Sequence, residues 1–240
     1  MFSESTDLYD LIYSEFKDFE GEARAIATLL RERCPSAKTV LDVGCGTGRH
    51  AEALIREHGF EVDGLDIESG FLDIDRERCP EGHFFRGDLA SFQLGRSYDV
   101  ALCLFSSIGY VKTLERLRLA ARSIRRHLNP GGLAVIEPWF TPQEYQGGSV
   151  FLHTVEREDL KICRVSRSEV RDRISYLEFH YLVGEAHRIR HLREVHELGL
   201  FTSEEMTEAL RAGGFQEVEF DAVGLIGRGL YLARLPSEVA

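Results

Sequence analysis

The sequence predicts an α/β fold with a mostly parallel β-sheet and a separate antiparallel β insertion. The apolar run Val40–Val43 ends in a cluster of glycines, and from Arg49 the residues have helical spacing. Further short apolar runs alternate with amphipathic helical segments, which is typical of βαβ units. Residues 146–200 alternate polar with apolar side chains instead, as antiparallel strands do. We therefore interpret residues 1–240 as one domain that carries this insertion.

Three glycines at alternate positions follow the first predicted strand. Gly44, Gly46 and Gly48 lie in VLDVGCGTG, where a tight turn brings backbone N–H groups close to a ligand. The dinucleotide fingerprint G-x-G-x-x-G needs its third glycine at the position of Arg49. The observed G-x-G-x-G, preceded by Asp42, resembles motif I of the class I S-adenosylmethionine (SAM) methyltransferases, which have a Rossmann-like fold. The resemblance implies that the loop holds the methionyl part of SAM and that Asp42 faces its ammonium group.

Two acidic residues end the next two predicted strand regions. Asp66 closes EVDGLDI, where doubly wound folds place a carboxylate that binds ribose hydroxyls. Asp88, in FFRGDLASF, resembles the family's G-D motif, whose aspartate binds the exocyclic amine of adenine. Leu89 would pack on the adenine, and Ile67 is assigned to the same cofactor. Either aspartate alone also suits a helix N-cap or a turn. Together with the loop they predict SAM as the cofactor and S-adenosylhomocysteine as its product.

The rest of the chain supplies the other elements of a seven-stranded sheet. They are a fourth strand at Tyr98–Phe105, a helix at Leu117–Leu128, a fifth strand at Leu133–Trp139, a helix at Ser203–Ala212, and last strands at 214–223 and Gly229–Leu235. The sequence Asn129-Pro130-Gly131-Gly132 is predicted to stop the helix before it. The last two strands would form the terminal antiparallel hairpin that distinguishes the methyltransferase sheet from dehydrogenase sheets.

The insertion, residues 146–200, reads as four antiparallel strands with turns at 158–159, 171–173 and 184–185. We expect it to cover the mouth of the main sheet, with a role in dimer contacts as the alternative. Its arginines are interpreted mostly as solvated surface that suits a modest anionic ligand better than a polymer. His153, His187, His191 and His196 are interpreted as surface or packing residues.

Composition limits the partners. The net charge of −11 disfavours a nucleic-acid substrate. The five cysteines are scattered without C-x-x-C spacing, so we expect reduced thiols and no metal site. No apolar run has membrane-spanning length, and the N-terminal segment does not resemble a signal peptide. We expect a cytoplasmic enzyme, monomeric or homodimeric, that acts on a small molecule and binds neither nucleic acid nor membrane.

Segments outside the cofactor motifs carry a closer resemblance. They are YDLIYSEFKDFEGEA, FSSIGYVKT, EPWF and GLIGRGLYLA, with EFHYLV and HELGLF in the insertion. They resemble the TDP-aminosugar N,N-dimethyltransferases, which complete the dimethylamino sugars of macrolide antibiotics, such as desosamine and mycaminose. The likeness runs over nearly the whole chain. It implies SAM-dependent methylation of a primary or secondary amine on a nucleotide-linked sugar.

The resemblance also assigns roles to single residues. Tyr13 would contact the sugar or its phosphate, and Arg228 would bind the carrier diphosphate, which a guanidinium grips bidentately. Leu104 and Phe105 are assigned to the cofactor. The acceptor pocket would be lined by Ser107, Tyr110, Glu137, Trp139 and Phe140. For Trp139 and Phe140, simple core packing is an equal alternative.

Few protein groups are needed for the chemistry, because the sulfonium is already a reactive methyl donor. The amine must arrive unprotonated, and Tyr13, Tyr110, Glu137 and His180 are the candidate catalytic residues. Tyr110 stands where some relatives have a histidine, and a tyrosine with an ordinary pKa near 10 is a poor base at neutral pH. We therefore predict in-line methyl transfer with little or no dedicated base.

Other functions stay open from the sequence. The nearest is a SAM-dependent methyltransferase of another small amine, hydroxyl or carboxylate, which would have no evident need for Arg228. An NAD-dependent oxidoreductase is disfavoured by Arg49 and by the Gly87-Asp88 pair. A non-catalytic SAM-binding subunit is disfavoured by the complete loop and acidic residues.

Overall fold

A computed structural model describes Phe2 and residues 5–237. The helices are α1 (Tyr9–Tyr13), α2 (Phe19–Arg33), α3 (Arg49–Arg56), α4 (Ser69–Arg78), α5 (Leu114–Arg126) and α6 (Ser203–Gly213). The strands are β1 (Thr39–Val43), β2 (Glu61–Asp66), β3 (Phe84–Arg86), β4 (Tyr98–Cys103), β5 (Leu128–Ile136), β6 (Val150–Glu156), β7 (Leu160–Arg171), β8 (Ile174–Glu185), β9 (Arg188–Gly199), β10 (Glu217–Asp221) and β11 (Leu230–Arg234). Short 3-10 helices span Thr6–Leu8 and Ser107–Val111.

The main sheet has seven strands in the order β10-β11-β5-β4-β1-β2-β3. Strands β1 to β5 pair in parallel, while β11 runs antiparallel to both β5 and β10. This confirms the predicted α/β fold class with its terminal antiparallel hairpin. The carboxyl ends of β1, β2 and β4 therefore lie side by side at one edge, where doubly wound folds bind ligands.

Helices cover both faces of the main sheet, as a parallel sheet requires. On one face, residues of α2 and α3 share an apolar cluster with Val40, Val100 and Val135. On the other face, residues of α5 and α6 share a second cluster with Leu41 and Ala134. Because neighbouring positions of a strand point to opposite faces, the continuous apolar runs of β1 and β4 supply both clusters.

Two predicted boundaries near α5 are wrong. The helix begins at Leu114 rather than Leu117, because the Thr113 side chain accepts a hydrogen bond from Arg116 N–H and caps it. It ends at Arg126, before the predicted stop at 129–132, and those residues belong to β5. The pairing of β4 with β5 is irregular there, since Tyr98 pairs with Leu128 but Val100 pairs with Leu133. A bulge thus accommodates in β5 the segment that was predicted to stop the helix.

The second sheet is antiparallel, with the order β6-β7-β8-β9. This confirms the predicted four-stranded insertion. Its inner face shares a third apolar cluster with the N-terminal segment, including Tyr9, Tyr13, Phe179 and Tyr181. We call this four-stranded sheet the cap sheet. No helix in the described part of the chain is long and apolar enough to cross a membrane.

Candidate active site

The glycine loop is held against the end of β2. The N–H groups of Gly44 and Cys45 both donate to the Leu65 carbonyl, at 2.7 and 3.1 Å, and Gly46 N–H donates to Asp66 Oδ2 at 3.0 Å. Gly44 and Gly46 have φ values of 80° and 60°, a region that glycine adopts without strain. A Cβ on Gly46 would meet no atom of the described residues within 4 Å. This part of the loop therefore faces open space.

Gly48 has a different role from the other two glycines. It is the N-cap of α3 with a φ of 69°, and a Cβ there would clash with Asp75 Oδ1. Asp75 is fully buried beneath the loop and accepts a hydrogen bond from the Cys45 thiol at 3.2 Å. Burial raises the pKa of Asp75 to about 8. Gly48 thus turns the chain into α3 and packs against Asp75.

A cleft of about 1300 Å³ lies above the loop, between the main sheet and the cap sheet. Gly44, Gly46, Asp66, Ile67, Asp88, Leu89 and Phe105 border it from the main sheet. The acceptor-side residues that border it are Tyr13, Ser107, Tyr110, Trp139 and Arg228. One cleft therefore brings together most of the residues that the sequence assigned to cofactor and acceptor. The assigned residues that do not border it are Asp42, Gly48, Leu104, Glu137 and Phe140.

Asp66 and Asp88 present carboxylates to this cleft in different ways. Asp66 Oδ1 accepts from Glu68 N–H at 2.9 Å, in addition to its bond with the loop. Its pKa is raised by burial. Asp88 accepts from Ala90 N–H at 2.8 Å, and both its oxygens accept from Arg116 Nη2, at 2.8 and 2.7 Å. Burial opposes ionisation of Asp88, but these bonds outweigh it and lower its pKa.

Asp42 lies behind the loop, in a small side cavity that Lys17, Arg49 and Leu104 also border. It is almost fully buried. Burial, followed by the neighbouring Asp66 carboxylate, raises the pKa of Asp42 to about 7. A cationic group in this cavity would favour the ionised form of Asp42, because an opposite charge at close range lowers a carboxyl pKa.

Arg228 is fixed at the acceptor end of the cleft. Its Nη1 donates to Ser106 Oγ at 3.0 Å, and Ser106 Oγ donates to the Pro138 carbonyl at 2.7 Å. The guanidinium also lies over the Trp139 and Phe140 rings, 4.8 and 5.0 Å from their centres. Burial lowers the pKa of Arg228, but an arginine stays charged in proteins. The contacts leave an oriented cation on the wall of the cleft.

Glu137 is fully buried beneath this wall. Its Oε2 accepts from Phe105 N–H at 2.7 Å, while Oε1 has no hydrogen-bond partner among the described residues. Burial raises the pKa of Glu137. Phe105 and Ser106 both have positive φ, of 49° and 60°, which is uncommon for residues with a side chain. The bond to Glu137 therefore helps to hold the chain in this turn after β4.

Tyr13 is buried between the two sheets. Its ring packs edge-on against Phe105 at 5.4 Å, and the Arg164 guanidinium lies 5.4 Å from its centre. Tyr110 directs its hydroxyl at the cap sheet, where it lies 2.8 Å from His196 Nδ1. Burial raises the pKa of both tyrosines. Both hydroxyls are therefore neutral at physiological pH and can act as hydrogen-bond donors.

The structure does not bring His180 into the cleft. Neighbouring strand positions face opposite sides, and Phe179 and Tyr181 occupy the inner face of the cap sheet. His180 is consequently on the outer face, with Nδ1 at 3.0 Å from His191 Nε2 and Nε2 at 3.2 Å from Glu178 Oε1. His180 therefore faces away from the cleft and is not placed to accept a proton from the substrate, contrary to the expectation from the sequence.

The residues of the cleft wall that the sequence analysis did not assign to the site include Lys17, Arg116, Arg164 and His196. Lys17 Nζ is buried, paired with Glu22 at 2.5 Å, and lies 4.1 Å from the Phe105 ring centre. Arg164 is only 4% exposed, although it was interpreted as surface. Alternation along each cap strand separates two faces, but contacts with the N-terminal segment decide which face is the inner one. Within the described residues, no group of three or more His, Cys, Asp or Glu could hold a metal ion.

The chain is similar to known proteins both in the glycine-loop region and over nearly its whole length. A family model described as a methyltransferase domain matches residues 40–132. The dTDP-3-amino-3,4,6-trideoxy-alpha-D-glucopyranose N,N-dimethyltransferase of Streptomyces venezuelae is 39% identical over 228 residues, 94% of this chain and 95% of that protein. The crystal structure of Streptomyces venezuelae DesVI has a TM-score of 0.90 and 38% identity, covering 97% of this chain and 98% of that one.

A second solved structure contains the cofactor. It is SAM-bound CalS10, an amino pentose methyltransferase from Micromonospora echinaspora, with a TM-score of 0.85 and 36% identity. The match covers 95% of this chain and 96% of CalS10. These similarities extend well beyond the residues of the methyltransferase domain and include the cap sheet.

Proposed function

The chain belongs to the SAM-dependent dTDP-aminosugar N,N-dimethyltransferases, and from this premise we propose that it methylates the amino group of a TDP-linked aminosugar. The observation that carries the acceptor assignment is Arg228, an oriented cation in the same cleft as the glycine loop. A diphosphate is the part of such a substrate that an arginine recognises best. The sequence resemblance to this family is confirmed by relatives that cover nearly the whole chain.

The residues at the loop end fit SAM. The open space beside Gly46 leaves room for the methionyl group, and Asp42 is a buried carboxyl in the small cavity that Gly46 also borders. The Asp66 and Asp88 carboxylates border the cleft, where they can accept hydrogen bonds from ribose hydroxyls and from the adenine amine. Leu89 and Ile67 supply apolar surface beside them. When bound, SAM supplies an electrophilic methyl group on a positively charged sulfur.

The chain's own residues bind and orient the acceptor. Arg228 would hold the diphosphate, while Tyr13, Ser107 and Tyr110 would contact the sugar between it and the loop. Alignment of an amine with the methyl group can supply roughly 7–11 kcal/mol of the barrier reduction. Orientation by these side chains is therefore the main contribution that we assign to the protein.

The cap sheet completes the pocket in this proposal. Its inner face contributes Arg164, Phe179 and His196 to the wall of the cleft. We therefore assign residues 146–200 to covering the acceptor, rather than to dimer contacts alone. The apolar rings that the cap shares with the N-terminal segment would keep water away from the reacting amine.

A calorimetric titration tests the acceptor assignment. Protein loaded with S-adenosylhomocysteine would be titrated with TDP and with a TDP-aminosugar, and the titrations repeated on Arg228→Ala. Loss of a charged hydrogen-bonding partner costs about 1.5–3 kcal/mol, so affinity should fall roughly 10- to 150-fold. Arg193→Ala is the matched control, because this arginine is exposed and paired with Glu178 at 2.7 Å. It should leave TDP affinity unchanged.

Each outcome of this titration has a definite meaning. TDP binding that depends on Arg228 supports the nucleotide-linked acceptor. Absence of TDP binding to the unmodified protein would contradict that acceptor while leaving SAM-dependent methyl transfer intact. The search would then move to small amines, hydroxyls and carboxylates without phosphate.

We further propose that the enzyme acts in the cytoplasm, as a monomer or homodimer. All five cysteines are free thiols, which suits a reducing compartment. Leu152, Val165 and Leu182 are exposed on the outer face of the cap sheet and offer an apolar surface for a second copy. The net charge of −11 supports a small-molecule acceptor over a nucleic acid.

A further inference from the structure

A hydrogen bond joins the main sheet to the cap sheet across the cleft. The Tyr110 hydroxyl, on the 3-10 helix after β4, lies 2.8 Å from His196 Nδ1 on β9. Both side chains border the cleft. His196 is only 1% exposed, with the Phe2 ring 4.2 Å and the Phe179 ring 4.8 Å away. The bond therefore connects a group on the cleft wall to an imidazole that water barely reaches.

Tyr110 is placed toward the glycine loop. Side chains three residues apart on a 3-10 helix lie on the same face, which puts Tyr110 in line with Ser107. Ser107 Oγ lies 3.4 Å from the Gly44 carbonyl of the loop. Tyr110 thus borders the same cleft as the loop that would hold the methyl donor, with its hydroxyl directed at His196.

His196 has the surroundings of a proton acceptor. If the Tyr110 hydroxyl donates to Nδ1, the imidazole carries its proton on Nε2. Nε2 has no hydrogen-bond partner among the described residues, but Glu194 Oε2 lies 3.7 Å away. Glu194 is itself held by Ser5, whose hydroxyl donates to it at 2.7 Å. An imidazolium at this position would therefore face a fixed carboxylate.

The charges around His196 come from several elements. Glu194 on the same strand and the Tyr181 hydroxyl on β8, 3.4 Å from Glu194, face it on one side. Arg164 on β7 opposes a positive charge on the imidazole, and Tyr110 faces its Nδ1. Burial, only partly offset by Glu194, lowers the pKa of His196. The imidazole is therefore neutral at pH 7 and has an electron pair available.

We propose that His196, acting through the Tyr110 hydroxyl, takes up the proton that the acceptor ammonium must lose before methyl transfer. The proposal rests on the proposed function, since it needs an amine in the cleft. An N–H bond of the ammonium breaks and an O–H bond to Tyr110 forms, while the proton of Tyr110 moves to His196 Nδ1. The nitrogen keeps the electron pair with which it attacks the methyl group. Nothing is oxidised or reduced, and the imidazolium later returns its proton to water.

In this arrangement Tyr110 does not have to act as a base on its own, because its proton moves to His196. Tyr110 ends each transfer as neutral as it began, so its raised pKa is no obstacle. His196 does not touch the substrate and positions the hydroxyl while receiving its proton. The residue expected from the sequence to pack the sheet thus becomes part of the proton path.

The test is the pH dependence of kcat/KM for a TDP-aminosugar at saturating SAM. We would compare the unmodified enzyme with His196→Gln, which keeps a hydrogen-bonding side chain, and with Tyr110→Phe. General-base contributions are typically about 10²–10⁴-fold, and we expect both variants to lose at least tenfold at pH 7. The loss should shrink toward pH 9.5, because more of the amine is then unprotonated in solution. His191→Gln, an exposed histidine of the same strand, should behave like the unmodified enzyme.

Binding of S-adenosylhomocysteine and of TDP to each variant separates a proton path from a structural bond. Both affinities should stay within about twofold. A loss of kcat/KM that is equal at all pH values, or no loss in either variant, would overturn the proposal. If His196→Gln does not fold, Tyr110→Phe alone decides by its pH profile. Failure of the unmodified enzyme to bind TDP or to methylate the sugar would instead count against the proposed function.

Discussion

The Arg228 guanidinium lies 4.8 Å from the centre of the Trp139 ring, and the Trp139 indole N–H donates to Ser175 Oγ on β8 at 2.9 Å. The acceptor cation is therefore positioned by a side chain that is itself anchored to the cap sheet. The sequence assigned both residues to the acceptor without relating one to the other. Their contact ties the loop before β11, the end of β5 and the cap into one recognition element.

Replacing Trp139 should weaken nucleotide binding without removing the charge that binds it. Trp139→Leu loses the ring under Arg228, and such contacts are worth about 0.5–2 kcal/mol. We expect TDP affinity by calorimetry to fall roughly 2- to 30-fold. Trp139→Phe keeps an aromatic face and should lose less. Equal TDP affinity in Trp139→Leu and the unmodified protein would show that the ring only packs the core.

Two glycines of the loop should respond differently to alanine. A Cβ on Gly44 would lie 2.7 Å from Ser107 Cβ at a φ of 80°, whereas Gly46 has a φ of 60° and open space. Gly46→Ala should lower the free energy of unfolding by about 1–2 kcal/mol, which is the cost of a left-handed backbone for a residue with a Cβ. Gly44→Ala should be less stable in denaturant titrations because it adds a clash. The double variant Gly44→Ala/Ser107→Gly should recover part of that difference, and no recovery would rule out the clash.

Asp42 should reduce stability as the pH rises. Its folded-state pKa is about 7, against an ordinary value near 4 in the unfolded chain. The folded state therefore holds this proton more tightly, so the favourable contribution of the protonated carboxyl is lost between about pH 4 and pH 7. By linkage the loss is on the order of 4 kcal/mol. Urea titrations should show Asp42→Asn gaining stability over the unmodified protein from pH 5 to pH 7 and holding a constant gain above it.

The same carboxyl should make cofactor binding depend on pH. An ammonium group beside Asp42 favours the ionised form, so S-adenosylhomocysteine should bind more tightly as the pH rises toward 7. With one proton released, affinity should change about tenfold per pH unit well below the pKa. Asp42→Asn should bind more weakly and with a flatter profile. An unchanged slope in this variant would assign the pH dependence to another group.

The main sheet could be predicted from the sequence because buried parallel strands leave a direct signal. The strands at Val40–Val43 and Tyr98–Phe105 are apolar on both faces, and their order follows from the glycine loop and the family resemblance. The bulge at 129–132 could not be predicted, since proline and glycine usually end an element. In the structure, β5 continues through these residues because it pairs with β4, and this long-range contact leaves no signal in the local sequence.

The cofactor half of the cleft was also more predictable than the acceptor half. Asp66 and Asp88 follow strands at motif positions, and both border the cleft. Arg164 and His196 lie in amphipathic strands, where alternation separates two faces but does not say which one meets the cleft. That choice is made by long-range contacts with the N-terminal segment, which no local pattern contains.

The cap sheet and the main sheet each pair within themselves, so the cap residues of the cleft wall, Arg164, Phe179 and His196, lie on strands that take no part in the glycine loop. Substitutions on the inner positions of β7, β8 and β9 can reshape the acceptor side while the loop after β1 stays as it is. A lineage built on this architecture can change which sugar it accepts through side chains of one sheet. The same separation makes residues 150–199 the natural region to randomise when a new acceptor is sought.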